Sequence, residues 1–243
     1  MDIRVNFTSV TSSPRMVERR GVIVIDVLRA SSTLTAALAN GAEKIIPVDS
    51  VMRAQTEVKR YPKNRVLLCG ERGYDKLEGF DLGNSPVEYN RDAVSGKTII
   101  YTSTNGTRGI SIGTAGKILI LGSFTNFPRP ADYLMDINTD ISIICCGNSG
   151  VFSLEDAVCG GMFVHYITKS IRSVTTNDAA EAAVALFKRY RDSIPQMMEM
   201  CENGRQLALH GYHEDVVYCS RVGITDVVPV LQNGELTPLE KRL

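Results

Sequence analysis

The 243-residue chain has no excess of charge of either sign, because 27 Lys and Arg residues balance 27 Asp and Glu residues. A protein that holds nucleic acid mainly by neutralising phosphates usually carries a clear basic excess. No block of like charge suggests a basic membrane anchor or an acidic tail. We therefore expect no nucleic-acid partner.

Long hydrophobic runs are also missing. Those at residues 22–25 and 118–121 are far shorter than the ~20 residues needed to cross a bilayer, and residues 1–7 lack the apolar stretch of a secretory signal. The six cysteines include no CxxC pair and no Cys/His cluster with zinc spacing. We expect reduced core thiols, a cytoplasmic protein and no membrane partner.

Short runs rich in β-branched residues predict strands, and helical patterns lie between them. Several strands are apolar at successive positions, which is typical of strands covered on both faces. The alternation predicts an α/β layered fold with a largely parallel or mixed sheet. No linker is visible, so we expect one domain over residues 1–243, with two lobes as the alternative. The predicted strands are residues 22–25, 44–48, 65–68, 98–101, 117–121, 141–145 and 227–231, the helices are residues 32–40, 50–61, 153–170, 177–192, 195–201 and 205–210, and Asn233-Gly234 predicts a hairpin turn.

One pattern recurs along the chain: a buried strand ends and a short polar loop follows. It occurs at residues 26–33, 103–109 and 147–150. If the three preceding strands are parallel neighbours, all three loops lie at the carboxyl edge of one sheet, where open α/β sheets bind ligands. We expect the functional site there.

The first loop begins with Asp26 at the end of an apolar strand, where a carboxylate is costly unless something pairs with it. Arg29 is the obvious partner. A structural Asp–Arg pair, a magnesium ligand and a nucleophile all remain open for Asp26. Ser31, Ser32 and Thr33 then open a helix, and hydroxyls with free N–H groups at a helix start can bind an anion, although such residues also cap helices for structural reasons.

The second loop is dense in hydroxyls and glycine. Asn105, Gly106 and Thr107 could wrap an oxyanion with N–H and O–H donors, and Arg108 adds a bidentate cation. The loop is neither a Walker A sequence nor GxGxxG, so nucleotide binding is not supported. The alternative is an ordinary Asn-Gly turn.

Two further segments offer polar side chains beside glycines. Glu71 and Arg72 follow a predicted strand, and Asn84 and Ser85 lie in a second glycine-containing loop. Gly and Asn also form turns that have no function. We count the four residues as candidate substrate-binding residues.

The third loop contributes Gly147 and Asn148 as candidate binding residues. Glu155 and Asp156 follow in the first turn of a predicted helix, where acidic residues also suit the helix dipole. Magnesium usually takes one or two carboxylates together with waters and substrate oxygens. Asp26 with Glu155 or Asp156 would supply such a set, so we expect Mg²⁺ as cofactor.

Taken together, these segments resemble the 2-phosphosulfolactate phosphatase family, often called ComB-like. The matching stretches occur in the family's order and are spread over nearly the whole chain. The complete set of stretches is far more specific than any single stretch. They are residues 25–33 (IDVLRASST), 70–72 (GER), 79–86 (GFDLGNSP), 104–108 (TNGTR), 154–160 (LEDAVCG), 211–215 (GYHED) and 228–230 (VPV). Cys69 and Gly161 depart from the usual pattern, and neither is a charged position.

The resemblance implies a three-layer α/β/α fold, magnesium dependence and hydrolysis of (2R)-2-phospho-3-sulfolactate to 3-sulfolactate and phosphate, a step of coenzyme M biosynthesis. We therefore expect Asp26, Arg29 and Arg108 to be catalytic. The substrate carries a phosphate, a sulfonate and a carboxylate, and arginine suits forked recognition of such groups. Arg29, Arg72 and Arg108 are the expected partners, with the assignment of each left open.

Two mechanisms remain open. Asp26 could attack phosphorus and form an aspartyl phosphate, or a magnesium ion could activate water while arginines stabilise the phosphoryl charge. We favour the second, because Val27 and Leu28 follow Asp26 where haloacid-dehalogenase phosphatases have Asp-x-Asp. The alternatives in function are a phosphatase of another small anionic ester and a non-catalytic module that binds phospho- or sulfo-acids. We expect a homodimer.

Overall fold

A computed structural model describes residues 1–239, and the last four residues of the predicted domain lie outside it. The strands of the described residues form one mixed sheet in the order β5-β4-β6-β3-β11-β10-β7-β2-β8-β1-β9. They are β1 (Asp2–Asn6), β2 (Gly21–Ile25), β3 (Lys44–Pro47), β4 (Val66–Arg72), β5 (Asp75–Lys76), β6 (Thr98–Thr102), β7 (Ile118–Gly122), β8 (Ile141–Cys145), β9 (Thr175–Thr176), β10 (Pro229–Gln232) and β11 (Glu235–Pro238).

Helices connect most of these strands. Two of the side-chain caps show the expected chemistry: Ser50 accepts from the N–H of Arg53, and Asn177 accepts from the N–H of Ala180. The helices are α1 (Ala30–Ala39), α2 (Val51–Glu57), α3 (Arg91–Val94), α4 (Gly106–Gly113), α5 (Arg129–Asp136), α6 (Leu154–Ser170), α7 (Asp178–Tyr190), α8 (Ile194–Met200), α9 (Glu202–Leu209) and α10 (His213–Cys219). Within residues 1–239 no helix is both long and apolar enough to cross a membrane.

The sheet has two parallel halves that run in opposite directions. Strands β1, β2, β7 and β8 are parallel to one another, as are β3, β4 and β6. The β10–β11 hairpin lies between the halves and makes three antiparallel pairings in succession. The expectation that the strands before the three polar loops are neighbours is right for β2 and β8 and wrong for β6.

Helix α1 packs between the two halves, and this packing brings their loops together. Val24 of β2 and Tyr101 of β6 belong to the same apolar cluster as Leu34 of α1. Five steps of ordinary strand twist, each about 20–25°, also turn β6 by roughly 100° relative to β2. The end of β6 therefore reaches the end of β2 although the strands run oppositely and four others lie between them.

The opposite face of β2 is covered by other helices. Ile23 and Ile25 pack in a second cluster with Leu134 of α5 and Phe163 of α6. Strand β2 is buried at all five positions, which explains its unbroken apolar sequence. Helices on both faces of the sheet confirm the predicted three-layer α/β/α fold.

Candidate active site

Asp26 directly follows β2 and starts the turn into α1. Its Oδ1 accepts the N–H of Ala30 at 3.2 Å, and its side chain is nearly buried. Burial raises the pKa of Asp26 from an ordinary 3.8 to about 7, and the negative charges of Glu71 and Glu155 act in the same direction. The raised pKa shows that Asp26 lies beside other acids and that no nearby positive charge fully compensates its own charge.

Asp156 ties the loop after β2 to the loop after β8. Its two oxygens accept the N–H of Val27 at 2.8 Å and the N–H of Gly147 at 3.1 Å. Burial, together with the charges of Asp26 and Glu155, raises the pKa of Asp156 well above its usual range. With both oxygens held by backbone donors, Asp156 orients the two loops.

Glu71 and Glu155 are also buried, at 5% and 1% exposure. Glu71 accepts the backbone N–H of Thr104 at 2.7 Å, and burial raises its pKa. Glu155 accepts from Nδ2 of Asn203 at 3.1 Å. The centre around Asp26 therefore combines four carboxylates, from the loop after β2, the end of β4 and the start of α6.

Arg29 pairs with Asp215 of α10 instead of Asp26. The Nη1–Oδ2 distance is 2.7 Å, and both side chains are at most 2% exposed. Nη2 of Arg29 donates to the carbonyl of Tyr74 at 2.5 Å, and the guanidinium lies 4.3 Å from the ring centre of Tyr212. A structural Asp26–Arg29 ion pair, one of the alternatives that the sequence left open, is not formed, because a buried acid from the C-terminal part of the chain occupies the guanidinium.

The hydroxyls at the start of α1 are engaged inside the protein. Ser31 donates to the carbonyl of Asp26, Ser32 to that of Val27 and Thr33 to that of Asn84, each at 2.8 Å. The three residues are at most 2% exposed. Their hydroxyls shape the loop and do not point into open space.

Asn84 and Ser85 form part of the same internal network. Oδ1 of Asn84 accepts from the hydroxyl of Tyr101 at 2.6 Å. Oγ of Ser85 donates to Oδ1 of Asp215 at 2.5 Å, which leaves both oxygens of Asp215 bonded. Despite these donors, burial raises the pKa of Asp215.

The predicted second loop contains the first turn of α4. A Cβ added to Gly106 would lie 2.6 Å from Cβ of Ala30 and 3.0 Å from Oδ2 of Asp26, so only glycine lets this turn approach the Asp26 centre. Oδ1 of Asn105 accepts the N–H of Ser149 at 3.0 Å and joins the turn to the loop after β8. The three predicted loops do meet.

Arg108 and Arg72 do not line the cavity of Asp26, although the charge of Arg72 acts on the pKa of Glu71. They line a neighbouring open cavity of about 330 Å³ together with Thr107. The cavity that Asp26 lines has about 20 Å³, room for about one water molecule. Asp26 and Arg108, which we expected together as catalytic residues, therefore line two adjoining cavities.

Sequence reasoning missed Asp215, Asn203 and Tyr74. The carbonyl of Tyr74 holds Arg29, and its hydroxyl accepts from Nδ2 of Asn148 at 3.3 Å. Asn203 bridges Glu155 and the carbonyl of Leu28. Asp215 lies in the 211–215 stretch that carries part of the resemblance, and that stretch is the one signal that could have found it. No local pattern marks the other two.

The predicted magnesium ligands differ in how far their oxygens are already occupied. Among residues 1–239 no three His, Cys, Asp or Glu side chains form a group that could hold a metal ion, and both oxygens of Asp156 accept backbone N–H bonds. Magnesium needs only one or two protein carboxylates. Asp26 and Glu155 fit that requirement, and the surplus of buried negative charge suits a divalent cation.

Acidic side chains and an arginine gathered where β2, β6 and β8 end define an α/β enzyme with a buried, strongly polar active centre. Comparison with known proteins is more specific. The family model of 2-phosphosulpholactate phosphatase matches residues 8–234. The chain belongs to the 2-phosphosulfolactate phosphatase family, as the sequence resemblance predicted, and this is a family of phosphatase enzymes.

Several relatives carry the name probable 2-phosphosulfolactate phosphatase. That of Caldanaerobacter subterraneus subsp. tengcongensis is 40% identical over 220 residues, which are 90% of this chain and 91% of the relative. That of Carboxydothermus hydrogenoformans is 39% identical over 229 residues, 93% of each chain. That of Thermotoga petrophila is 39% identical over 218 residues, 90% of this chain and 92% of the relative.

Proposed function

We propose that this protein hydrolyses (2R)-2-phospho-3-sulfolactate to 3-sulfolactate and phosphate, with Mg²⁺, as a step of coenzyme M biosynthesis. The observation that carries the proposal is the family match over residues 8–234, together with relatives of that name at 36–40% identity. The site is compatible with this chemistry, because it combines buried carboxylates with arginines that suit an anionic substrate.

In the proposed reaction a water oxygen bonds to phosphorus and the bond from phosphorus to the ester oxygen breaks. The alcohol oxygen takes a proton and phosphate leaves. Asp26 and Glu155 would hold Mg²⁺, which supplies positive charge for the phosphoryl oxygens and lowers the pKa of a nearby water. Asp156 orients the loops that carry Asp26 and Gly147 through its two backbone bonds.

Arg29 is a buried cation of this centre. Its charge lowers the pKa of both Asp26 and Glu71, which places it near both carboxylates. Because Asp215 and Tyr74 hold its guanidinium, Arg29 is positioned before substrate binds, and a fixed cation stabilises charge on the transferring phosphoryl group without reorganisation. The small cavity beside Asp26 must widen to admit the phosphoryl group.

The test is phosphate release from 2-phosphosulfolactate, phosphoglycolate and phosphoglycerates, each with Mg²⁺ and with a chelator. We expect 2-phosphosulfolactate with Mg²⁺ to give the highest kcat/KM. Asp26→Asn should abolish turnover while the circular dichroism spectrum is retained, and Asp192→Asn, at a side chain 89% exposed, is the matched control. Near-normal activity of Asp26→Asn would overturn the site assignment.

Two other outcomes separate the alternatives. Faster turnover of another ester would make the protein a phosphatase of that substrate, and binding without turnover would make it a binding module. Trapping of an acyl phosphate by hydroxylamine would replace the magnesium–water route by attack from Asp26.

Location and assembly stay predictions. All six cysteines are free and buried, which supports our proposal of a reducing, cytoplasmic compartment. Light scattering of the purified protein tests the predicted homodimer.

A further inference from the structure

The cavity beside the Asp26 centre has an unusual charge. It is open, holds about 330 Å³ and is lined by Arg72, Arg108, Ser103 and Thr107 among others. This volume is within the range of small-molecule sites, about 300–1,000 Å³. It is separated from Asp26 by the contact in which Glu71 accepts the N–H of Thr104.

Neither arginine forms an ion pair with an acid of the described residues, although the charge of Arg72 acts to lower the pKa of the Glu71 carboxyl. Arg72 donates to the carbonyl of Glu71 at 2.7 Å and to the hydroxyl of Thr102 at 3.1 Å, so backbone and hydroxyl oxygens take two of its five N–H groups. Arg108 is exposed, and no side chain of residues 1–239 accepts from its guanidinium. Asp49 also lines the cavity, but it pairs with Arg53 at 3.0 Å.

Two like charges on one cavity wall repel each other, and a bound anion relieves the repulsion while it accepts forked hydrogen bonds. Arg72 is anchored and half-buried, so little side-chain entropy is lost when it binds. The hydroxyl of Ser111 at the same cavity adds a neutral donor, whereas the hydroxyls of Thr104 and Thr107 donate to Glu71 and to the carbonyl of Ser103.

The Asp26 centre is negatively charged, whereas the cavity lined by Arg72 and Arg108 is positively charged. It gathers four carboxylates, and the guanidinium of Arg29 beside them is already paired with Asp215. A substrate with three anionic groups cannot place all of them among these acids without severe repulsion. A second anionic group must therefore lie elsewhere, and the Arg72–Arg108 cavity adjoins the centre.

We propose that the Arg72–Arg108 cavity is a separate subsite for the sulfonate of the substrate, while the phosphoryl group lies at Asp26. This inference rests on the proposed function. In 2-phosphosulfolactate the carboxylate is on the carbon that carries the phosphate ester, and the sulfonate is one carbon further away. The sulfonate is thus the group that reaches the more distant subsite, and its three oxygens can accept from both arginines and a hydroxyl.

The test compares two substrates that differ only at this group, 2-phosphosulfolactate and 2-phospholactate. We expect Arg108→Ala to lower kcat/KM for 2-phosphosulfolactate at least about 30-fold and to change kcat/KM for 2-phospholactate less than about 3-fold. Arg108→Lys should retain part of the preference for 2-phosphosulfolactate over 2-phospholactate. The control is Arg60→Ala, at an exposed arginine paired with Glu57. Equal losses for both substrates, or no loss for either, would overturn the proposal.

A binding measurement tests the sulfonate subsite independently of the phosphatase activity. Calorimetry with ethanesulfonate should show binding to the wild type that Arg108→Ala weakens at least about tenfold and Arg60→Ala leaves unchanged. If the wild type releases no phosphate from 2-phosphosulfolactate but this loss of binding is seen, the proposed function fails and the sulfonate subsite stands. If turnover is normal and Arg108→Ala changes neither measurement, the subsite fails and the proposed function stands.

Discussion

The buried pair of Arg29 and Asp215 allows a quantitative test of how the centre is held together. Its two side chains are 2% and 1% exposed, and the ion pair is 2.7 Å long. Asp215→Ala removes the acid and leaves a buried guanidinium without its counter-charge. Breaking a buried pair in this way costs about 3–5 kcal/mol. Arg29 keeps the Tyr74 carbonyl and the Tyr212 ring, so we expect the lower end, about 3 kcal/mol.

For a chain of this length, 1 kcal/mol changes the melting temperature by about 2–4 °C. Asp215→Ala should therefore lower it by roughly 6–12 °C and lower the urea midpoint without changing the m-value. Asp215→Asn keeps an acceptor oxygen and should cost about half as much. The assays are thermal unfolding followed by circular dichroism and urea titration followed by tyrosine fluorescence.

A surface ion pair of the same length is the matched control. Glu57 and Arg60 are 2.8 Å apart, but the arginine is 69% exposed. Glu57→Gln should cost less than about 1 kcal/mol, because solvent already screens an exposed pair. If Asp215→Ala costs no more than Glu57→Gln, the buried pair does not hold Arg29, and the reasoning on its position is wrong.

Three further predictions concern the same centre. Because the folded pKa of Asp26 is raised to about 7, the folded state keeps a proton that the unfolded state releases from about pH 4. The wild type should therefore lose stability as the pH rises from 4 to 7. In urea titrations with a chelator, Asp26→Asn should be more stable than the wild type by up to about 4 kcal/mol at pH 8 and equally stable at pH 4. A difference in stability that does not depend on pH would contradict this. Gly106→Ala forces a Cβ to 2.6 Å from Ala30 and should cost about 1–3 kcal/mol and most activity, whereas Gly160→Ala, with its nearest contact at 3.5 Å, should be tolerated; equal stability of the two variants would contradict the close approach. Mg²⁺ should raise the melting temperature of the wild type and not that of Asp26→Asn, and an equal rise in both would place the metal elsewhere.

Most secondary structure followed from the sequence, because it depends on local pattern. The run VIVI at residues 22–25 forms β2, and the hairpin predicted at Asn233 and Gly234 forms β10–β11. Strands β1, β5 and β9 were not predicted. Strands β5 and β9 have two residues each, and β1 alternates buried and exposed positions in a short polar segment.

The loop predicted at residues 103–109 shows the limit of local pattern. Helix α4 starts inside it at Gly106 and continues through Gly109, and glycine disfavours helix in isolation. Packing decides the matter here. A Cβ at Gly109 would lie 2.5 Å from Sγ of Cys146, so the glycines let the helix lie close against the sheet.

The sequence by itself singled out the acids that the structure gathers around Asp26. Asp26 and Glu71 were singled out after apolar strands, and Glu155 and Asp156 in the first turn of a predicted helix, since strands, the polar residues that follow them and helix starts are local features. We also expected the three polar loops to meet because the strands before them would be parallel neighbours. That reason holds for β2 and β8 alone.

Only the tertiary structure decided the partners. Arg29 pairs with Asp215, 186 positions along the chain, and Arg108 lines a separate cavity together with Arg72. Burial and pairing of charges depend on which segments α1 brings together between the two halves of the sheet. A sequence with no net charge does not reveal that folding separates a cavity lined by two arginines from a centre of four acids, because that separation exists only once distant loops lie side by side.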